Sequence, residues 1–300
     1  MLTTAALSSA QQEEVRALHQ AVAAHDGVSA LDEAALLALA DDTAQHLLLE
    51  DPEAAATAET RLLGYTSVLA DGTVQGMVHP EHRRRGHGSA LLQAALALRP
   101  DAGVWAHGAL PGSLAFLTAA GLEETRRLLT LHRSLGSGRP VPEVRPASLP
   151  NLQLDTFDPE RDAERWVAVN AGAFRDHPEQ GALTRADLDR RLAEPWFDPA
   201  DLLVARRAGE LVGFVWVKRE HPGATASDAE IYVVATDPSV QGHGVAGHLL
   251  AASLRRLQEA GVPGVELYVE ADNAPALRLY ENWGFAVSGR DVQMRATARR

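Results

Sequence analysis

Asp237-Pro238-Ser239-Val240-Gln241-Gly242-His243-Gly244-Val245-Ala246-Gly247-His248-Leu249-Leu250 decides how this chain is read. An apolar run of strand type, Ile231 to Ala235, leads into it. An apolar-periodic run of helix type, Leu249 to Leu257, leads out of it. The stretch is therefore a strand-to-helix turn, with three glycines in six residues. Glycines leave backbone N–H groups uncovered, and the first N–H groups of a helix lack internal partners. With the positive end of the helix dipole they make an anion site, best suited to phosphate. The spacing Gln-x-x-Gly-x-Ala, Gln241 to Ala246, is neither the Gly-Lys-Ser/Thr of a Walker loop nor the full Rossmann glycine pattern.

The same pattern stands earlier, in Val78-His79-Pro80-Glu81-His82-Arg83-Arg84-Arg85-Gly86-His87-Gly88-Ser89-Ala90-Leu91-Leu92. Pro80, Arg83, Gly86, Gly88 and Leu91 match Pro238, Gln241, Gly244, Ala246 and Leu249 at a constant offset of 158 residues. Two such loops in register, each between a strand and a helix, imply a duplicated domain. A length of 300 residues suits two domains of about 150 each. We expect domains over 1–137 and 151–300, joined by a linker over 138–150. Leu135 to Pro150 carries four prolines and two glycines, as linkers do.

The formal net charge of −12 argues against nucleic acid or an anionic membrane as partner. No apolar run approaches the ~20 residues of a membrane span, and Met1-Leu2-Thr3-Thr4 lacks the flank of a signal peptide. A cytoplasmic monomer is expected. With no cysteine there is no disulfide framework, cysteine-based zinc site or cysteine nucleophile. The histidines show no metal-ligand spacing, so no metal is expected. Of 28 basic residues only Lys218 is lysine, which singles out that position.

The spacing predicts helices over 10–23 and 31–40, strands over 45–50, 61–70 and 73–78, a helix over 88–98, a strand over 103–107, a helix over 113–120 and a closing strand over 126–132. Asp71-Gly72 reads as a hairpin turn. The second half repeats the order. Helices are predicted over 161–174 and 185–193, the latter capped by Thr184. Strands follow over 202–206, 211–218 and 229–236, then a helix over 246–260, a strand over 264–269 and a helix over 273–283. Phe285 onward is expected to close the second sheet. The fold class is α/β with a mixed sheet.

Glu230 sits in the strand before the loop, and strict alternation would put Glu230, Tyr232 and Val234 on one face. A desolvated strand carboxylate suits a general base near neutral pH; a solvent-facing glutamate is the alternative. Asn273 and Tyr280 lie seven apart on a predicted helix, so they share a face about 10 Å apart along the axis. Tyr280 reads either as a proton donor or as a core aromatic. Aligning Gly121 with Gly284 sets Leu117 opposite Tyr280 and Leu110 opposite Asn273, and leucine cannot donate a proton. Lys218 ends a strand, where it could bind a hydroxyl, carbonyl or carboxylate. Glu179, in His177-Pro178-Glu179-Gln180-Gly181, could pair with an ammonium or a hydroxyl, or cap a helix.

The two loops, with Asn273-Ala274-Pro275-Ala276-Leu277-Arg278-Leu279-Tyr280, resemble the signatures of the GNAT superfamily of acyl-CoA-dependent N-acyltransferases. Further stretches resemble the mycothiol synthase family within it: Ala106-His107-Gly108, Asn170-Ala171-Gly172-Ala173-Phe174, His177 to Gly181, Trp196-Phe197-Asp198-Pro199, His221-Pro222-Gly223 and Leu267-Tyr268-Val269-Glu270-Ala271-Asp272-Asn273. The resemblance implies two tandem GNAT-like domains, the first degenerate. It implies transfer of acetyl from acetyl-CoA to the cysteinyl amine of a small cysteinyl-glucosaminyl-inositol, with Glu230 as base and Tyr280 as acid. Glu33, Glu179, Lys218, Glu230 and Tyr268 would contact that acceptor. Val234, Ala235, Thr236, Gln241, Gly242, His243, Gly244, Val245, Ala246 and Gly247 would hold acetyl-CoA, with Asn273, Ala274, Pro275, Ala276, Leu277 and Arg278. Gly76, Met77, Val78, Arg83, Arg84, Arg85, Gly86, His87 and Gly88 would hold a second one. Ala246 stands where the family has glycine, and Gly242 and His243 where it often has arginines. Competing readings are another amine acceptor, such as an aminoglycoside, a polyamine or a protein amino terminus, and a non-catalytic acyl-CoA sensor.

Overall fold

The computed structural model describes residues 1–51, 62–136, 138, 140–143, 147–175, 180–219 and 227–296. In chain order its regular elements are β1 (Leu2–Thr4), α1 (Ser9–Asp26), α2 (Glu33–Leu37), β2 (Ala44–Glu50), β3 (Leu62–Leu69), β4 (Thr73–Val78), α3 (His87–Leu98), β5 (Gly103–Ala106), α4 (Pro111–Ala119) and β6 (Leu122–Ser134). There follow β7 (Leu152–Thr156), α5 (Pro159–Ala173), α6 (Arg185–Leu192), β8 (Leu202–Arg207), β9 (Glu210–Lys218), β10 (Ala229–Thr236), α7 (Val245–Glu259), β11 (Gly264–Glu270), α8 (Ala274–Asn282) and β12 (Ala286–Ala296). Both halves are mixed α/β. None of the described helices is long and apolar enough to cross a membrane.

The local chemistry sets the boundaries. Ser8 and Gln11 form a capping box that starts α1, and Gly27 ends it at φ +72°. Thr184 caps α6 as expected, reciprocated by Asp187. Asp71 accepts from the Thr73 N–H at 2.8 Å and so shapes the β3–β4 turn. β8 and β9 join through Ala208 and Gly209, both at positive φ, the conformation a two-residue hairpin turn needs. The helix predicted over 31–40 is shorter: α2 stops at Leu37 and tightens into a 3-10 turn over Ala38–Ala40. β1 had no sequence signal of its own beyond three residues.

The described chain divides into two compact units. One comprises Met1–Leu129 with Glu270–Asp272 and Gly289–Arg300; the other comprises Thr130–Val269 with Asn273–Ser288. In the first unit β1 to β4 pair in antiparallel succession and β4 pairs parallel with β5. One core cluster gathers Leu47, Val74, Leu91, Val104 and Leu117; another gathers Val15, Leu18, Leu48, Tyr65 and Met77. In the second unit β7, β8, β9 and β10 are antiparallel neighbours and β10 pairs parallel with β11. Trp166, Trp196, Trp216, Phe214 and Val233 build its aromatic core, and α7 buries Leu249, Leu250, Leu254 and Leu257.

The last strand departs from expectation. Phe285 onward was to close the second sheet, yet residues 289–296 belong to the first unit. There Val292, Gln293 and Met294 lie opposite Ala106, Trp105 and Val104 of β5. Packing explains it. Val292 and Met294 enter the first unit's apolar core. Gln293 lies over Gly103, where a Cβ would come within 2.5 Å of its amide carbon.

Candidate active site

The second unit's sheet opens into a fork. β10 pairs with β9 from Glu230–Lys218 to Thr236–Gly213. With β11 it pairs only at Ala229–Val265 and Glu230–Glu266, although the strands run on to Thr236 and Glu270. Past Glu230 the two strands part. Backbone groups on that edge of Val234, Ala235 and Thr236 therefore line an opening, where an extended amide chain can pair as a further strand.

A β-bulge shapes the fork. The register between β10 and β9 shifts between Ile231 and Val233, which leaves Tyr232 as the extra residue. The bulge overturns the strict alternation expected for Glu230, Tyr232 and Val234. Residues opposite each other share a face. Glu230 opposes Lys218 and Val233 opposes Trp216, so these lie on one side, while Val234, opposite Val215, lies on the other.

The glycine loop lies at the fork's open end, directly after β10. Gly242 and Gly244 stand at φ +79° and +84°, and Gly244 starts α7 without any side-chain cap. The first N–H groups of α7 thus carry no side-chain acceptor, as an anion cradle requires. Gly213 lets β9 pass close: a Cβ there would meet the Ala235 carbonyl oxygen at 3.0 Å and Val245 Cγ1 at 3.3 Å. Asp237 accepts from the N–H and hydroxyl of Ser239 and pairs with Arg165, and these bonds hold its carboxyl below the usual carboxylate range. Ser148 braces the loop from outside: its N–H donates to the His243 carbonyl at 3.2 Å, and its hydroxyl meets His243 Nδ1 at 2.7 Å.

Asn273 caps α8, its Oδ1 accepting from the Ala276 N–H at 3.2 Å. Ala274, Pro275, Ala276, Leu277 and Arg278 form the opening turns of that helix. Tyr280 is half-buried, its ring edge against Phe285 with centroids 5.6 Å apart. Burial pushes its phenol up to about 12, so it keeps its proton through the neutral range.

Lys218 is held above aromatic faces, its Nζ 4.9 Å from the Trp196 centroid and 5.7 Å from that of Tyr232. The Tyr232 hydroxyl accepts from Arg191 Nε at 2.7 Å. Glu230 is half-buried and directly opposite Lys218. Tyr268 is exposed on β11. Glu179, His177 and His221 lie outside the described residues. Glu33 is the first residue of α2, in the first unit. Sequence reading missed Glu266, the parallel-strand neighbour of Glu230. The alternation of Val265, Glu266, Leu267, Tyr268 and Val269 was the available signal, since it puts Glu266 on the Tyr268 face. Reading also missed the supporting roles of Trp196, Arg191 and Ser148, which depend on residues far away in sequence.

The first unit repeats the scaffold with other residues in the places of Asn273 and Tyr280. β4 and β5 pair only at Thr73–Gly103 and Val74–Val104, and the parted stretch of β4 carries Gly76, Met77 and Val78. Gly64 opposes Val78 as Gly213 opposes Thr236. Gly86, at φ +86°, starts α3 at His87 without a side-chain cap. A cavity of about 720 Å³ opens there, lined among others by Gly76, Val78, Arg84, Gly88, Trp105 and Phe116. Arg83 braces the loop: Nη1 and Nη2 each donate to Asp26 at 2.7 Å, and Nε to the Val78 carbonyl at 3.1 Å. Arg84 and Arg85 are exposed. Leu110 starts α4 where Asn273 starts α8, and Leu117, buried, stands in the place of Tyr280. The register of β4 has no bulge.

Residues 165–285 match the Acetyltransferase (GNAT) family. Over its full length the chain is 66% identical to a mycothiol acetyltransferase of Brachybacterium faecium, also covered in full. It is 45% identical to a mycothiol acetyltransferase of Thermomonospora curvata, over 95% of this chain and 94% of that one. In fold it is similar to a tandem GNAT protein from the clavulanic acid biosynthesis pathway, with TM-score 0.69, 21% identity, and 100% and 99% of the two chains covered. A GCN5-related N-acetyltransferase from Sphaerobacter thermophilus gives TM-score 0.66 at 22% identity, over 98% and 94%.

Proposed function

The chain belongs to the mycothiol acetyltransferase family, and on that premise we propose that it moves acetyl from acetyl-CoA to the cysteinyl amine of a cysteinyl-glucosaminyl-inositol, giving mycothiol and CoA. The observation that carries the reading for this chain is the fork beyond Glu230, with the uncapped helix start of α7 directly after the strand that forms it. The fork suits the amide-bearing arm of CoA and the helix start suits its diphosphate. The fit extends from Gln241, Gly242, His243 and Gly244 to the first turn of α7.

Bound acetyl-CoA supplies the activated thioester. Glu230 takes a proton from the acceptor's ammonium, which frees the amine lone pair for attack. Backbone N–H groups along Val234, Ala235 and Thr236 stabilise the charge that develops on the carbonyl oxygen. Tyr280 returns a proton to the departing sulfur. A phenol near 12 gives its proton poorly to a solvated thiolate of pKa ~8.5. The transfer becomes more favourable where the bound donor itself shields the departing thiolate from water, which raises the thiol's hold on its proton. Lys218, Glu179 and Tyr268 supply polar contacts that a hydroxyl-rich acceptor needs.

In this reading the first unit keeps a second acetyl-CoA in its 720 Å³ cavity but does not turn it over. It has Leu117 for Tyr280, and Leu69 and Thr73 end the strands where Lys218 and Glu230 stand in the second unit. Thiol release from acetyl-CoA tests the main reading. Cysteinyl-glucosaminyl-inositol should support it, and a panel of simple amines, an aminoglycoside and a polyamine should not. Faster release with any of these simpler amines would reassign the acceptor. Equilibrium titration of the full chain with acetyl-CoA should give two sites per chain; a single site would remove the one in the first unit.

A further inference from the structure

Three strands lay a row of charge across one face of the second unit. Lys218 of β9 stands opposite Glu230 of β10, and Glu230 stands beside Glu266 of β11. Neighbouring residues on paired strands share a face, so the three side chains rise from one side of the sheet. Ala229, Ile231, Val265, Leu267 and Val269 are buried on the other side. Tyr268, two residues beyond Glu266, is exposed on the same side as the row. Both glutamates are half-buried. Paired strands lie about 4.8 Å apart, so two carboxylates side by side repel each other, and a proton or a cation relieves the repulsion. The apolar contacts of β11 belong to the opposite face.

Resting on the assignment of Glu230 as base, we propose that Glu266 is a positioning residue for acetyl transfer, whose charge strengthens the hold of Glu230 on the proton taken from the acceptor's ammonium. Lys218 works in the opposite sense, since a cation beside a carboxylate favours its ionised form and weakens it as a base. Glu266 offsets that pull. An arriving ammonium offsets the negative charge of the two glutamates. One N–H bond of the ammonium breaks and one O–H bond forms on Glu230; the amine keeps the electron pair. The proton then belongs to a carboxylate pair rather than to one group. Strand pairing sets Lys218 of β9 and Glu266 of β11 beside Glu230, with Tyr268 on the same face of β11 and Tyr232 next along β10. Arg191 from α6 is held by the Tyr232 hydroxyl, and Arg165 from α5 by Asp237.

The test is kcat/KM against pH for the full chain with acetyl-CoA and cysteinyl-glucosaminyl-inositol. Glu266→Gln should move the acid limb to lower pH by about one unit, and lower the plateau roughly three- to tenfold, because a weaker base transfers the proton less well. KM for acetyl-CoA should not change. Glu266→Asp should restore the limb to within a few tenths of a unit. Lys218→Met should move the limb the other way, and Glu266→Ala takes the place of Glu266→Gln if the latter does not fold. An unmoved limb in Glu266→Gln, or in Glu266→Ala where that variant alone is measurable, overturns the proposal. Glu230→Gln separates it from the reading it rests on. If Glu230→Gln retains full turnover, the base assignment fails and the role of Glu266 falls with it. If Glu230→Gln abolishes turnover while the Glu266→Gln limb stays put, only Glu266 is lost.

Discussion

Arg84 and Gly242 hold the same backbone conformation at matching points of the two loops, with φ +64° at the arginine and +79° at the glycine. The left-handed region costs a residue with a Cβ about 1–2 kcal/mol, whereas glycine enters it freely but loses more entropy on folding. Arg84→Gly should therefore stabilise the chain by up to about 1 kcal/mol, a rise of a few degrees in the melting transition at most. Gly244→Ala should do the reverse. Its φ of +84° makes the added methyl cost about 1 kcal/mol and crowds the amides that open α7. Calorimetry reads the first effect, and a raised KM for acetyl-CoA reads the second.

Tyr280→Phe keeps the ring against Phe285 and deletes the proposed acid. Turnover should fall about 10²- to 10³-fold with KM for acetyl-CoA nearly unchanged. The phenol also predicts an alkaline effect. Its hold on the proton is raised to about 12 in the folded state from 10 in the unfolded one. The stability it contributes is complete below pH 10 and is lost as pH rises from 10 to 12. Urea titrations at pH 9 and pH 11 should show a smaller alkaline loss for Tyr280→Phe than for the parent chain.

Acid stability should depend on Asp162. Burial alone would raise its pKa, but the guanidinium of Arg206, at 2.6 and 2.9 Å, and that of Arg161 hold it at about 2. A carboxyl lowered in the folded state stabilises above its ordinary pKa near 3.8 and loses that contribution as pH falls to about 2. The loss amounts to about 2 kcal/mol. Asp162→Ala should cost about 3–5 kcal/mol at neutral pH because Arg206 stays buried without its partner. Its unfolding midpoint should then change less between pH 4 and pH 2.

Lys218 Nζ lies over the rings of Trp196 and Tyr232. Lys218→Met keeps the apolar stem over those rings and removes the charge. KM for the acceptor should rise about tenfold, with KM for acetyl-CoA within a factor of two, as expected for loss of one charged contact. Equal changes in both constants would mean that the lysine supports the fold rather than the acceptor.

Much of this architecture is legible in the chain itself. The two loops could be aligned because glycine positions recur wherever the backbone must turn left-handed, and the same alignment set Leu117 and Leu110 in the places of Tyr280 and Asn273. The bulge at Tyr232 was not legible. A register shift leaves no mark in an apolar alternating strand, and only its pairing with β9 reveals that Val234 faces away from Glu230. The swap of β12 was hidden for the same reason. Val292 and Met294 fit any apolar face, and it is the bare Cα of Gly103 that makes room for Gln293. Glu266 was visible in the alternation, yet its meaning depends on a neighbour 36 positions away along the chain.

The placement of residues 289–296 sets an order on how the molecule is born. A ribosome finishes most of the first unit early, but β5 then waits with a bare edge and a hollow where Val292 and Met294 will lodge. Nearly all of the second unit is synthesised in that interval. An exposed strand edge invites pairing with another nascent chain. A fragment ending at residue 137 should therefore aggregate, and adding the 286–296 peptide in trans should rescue it.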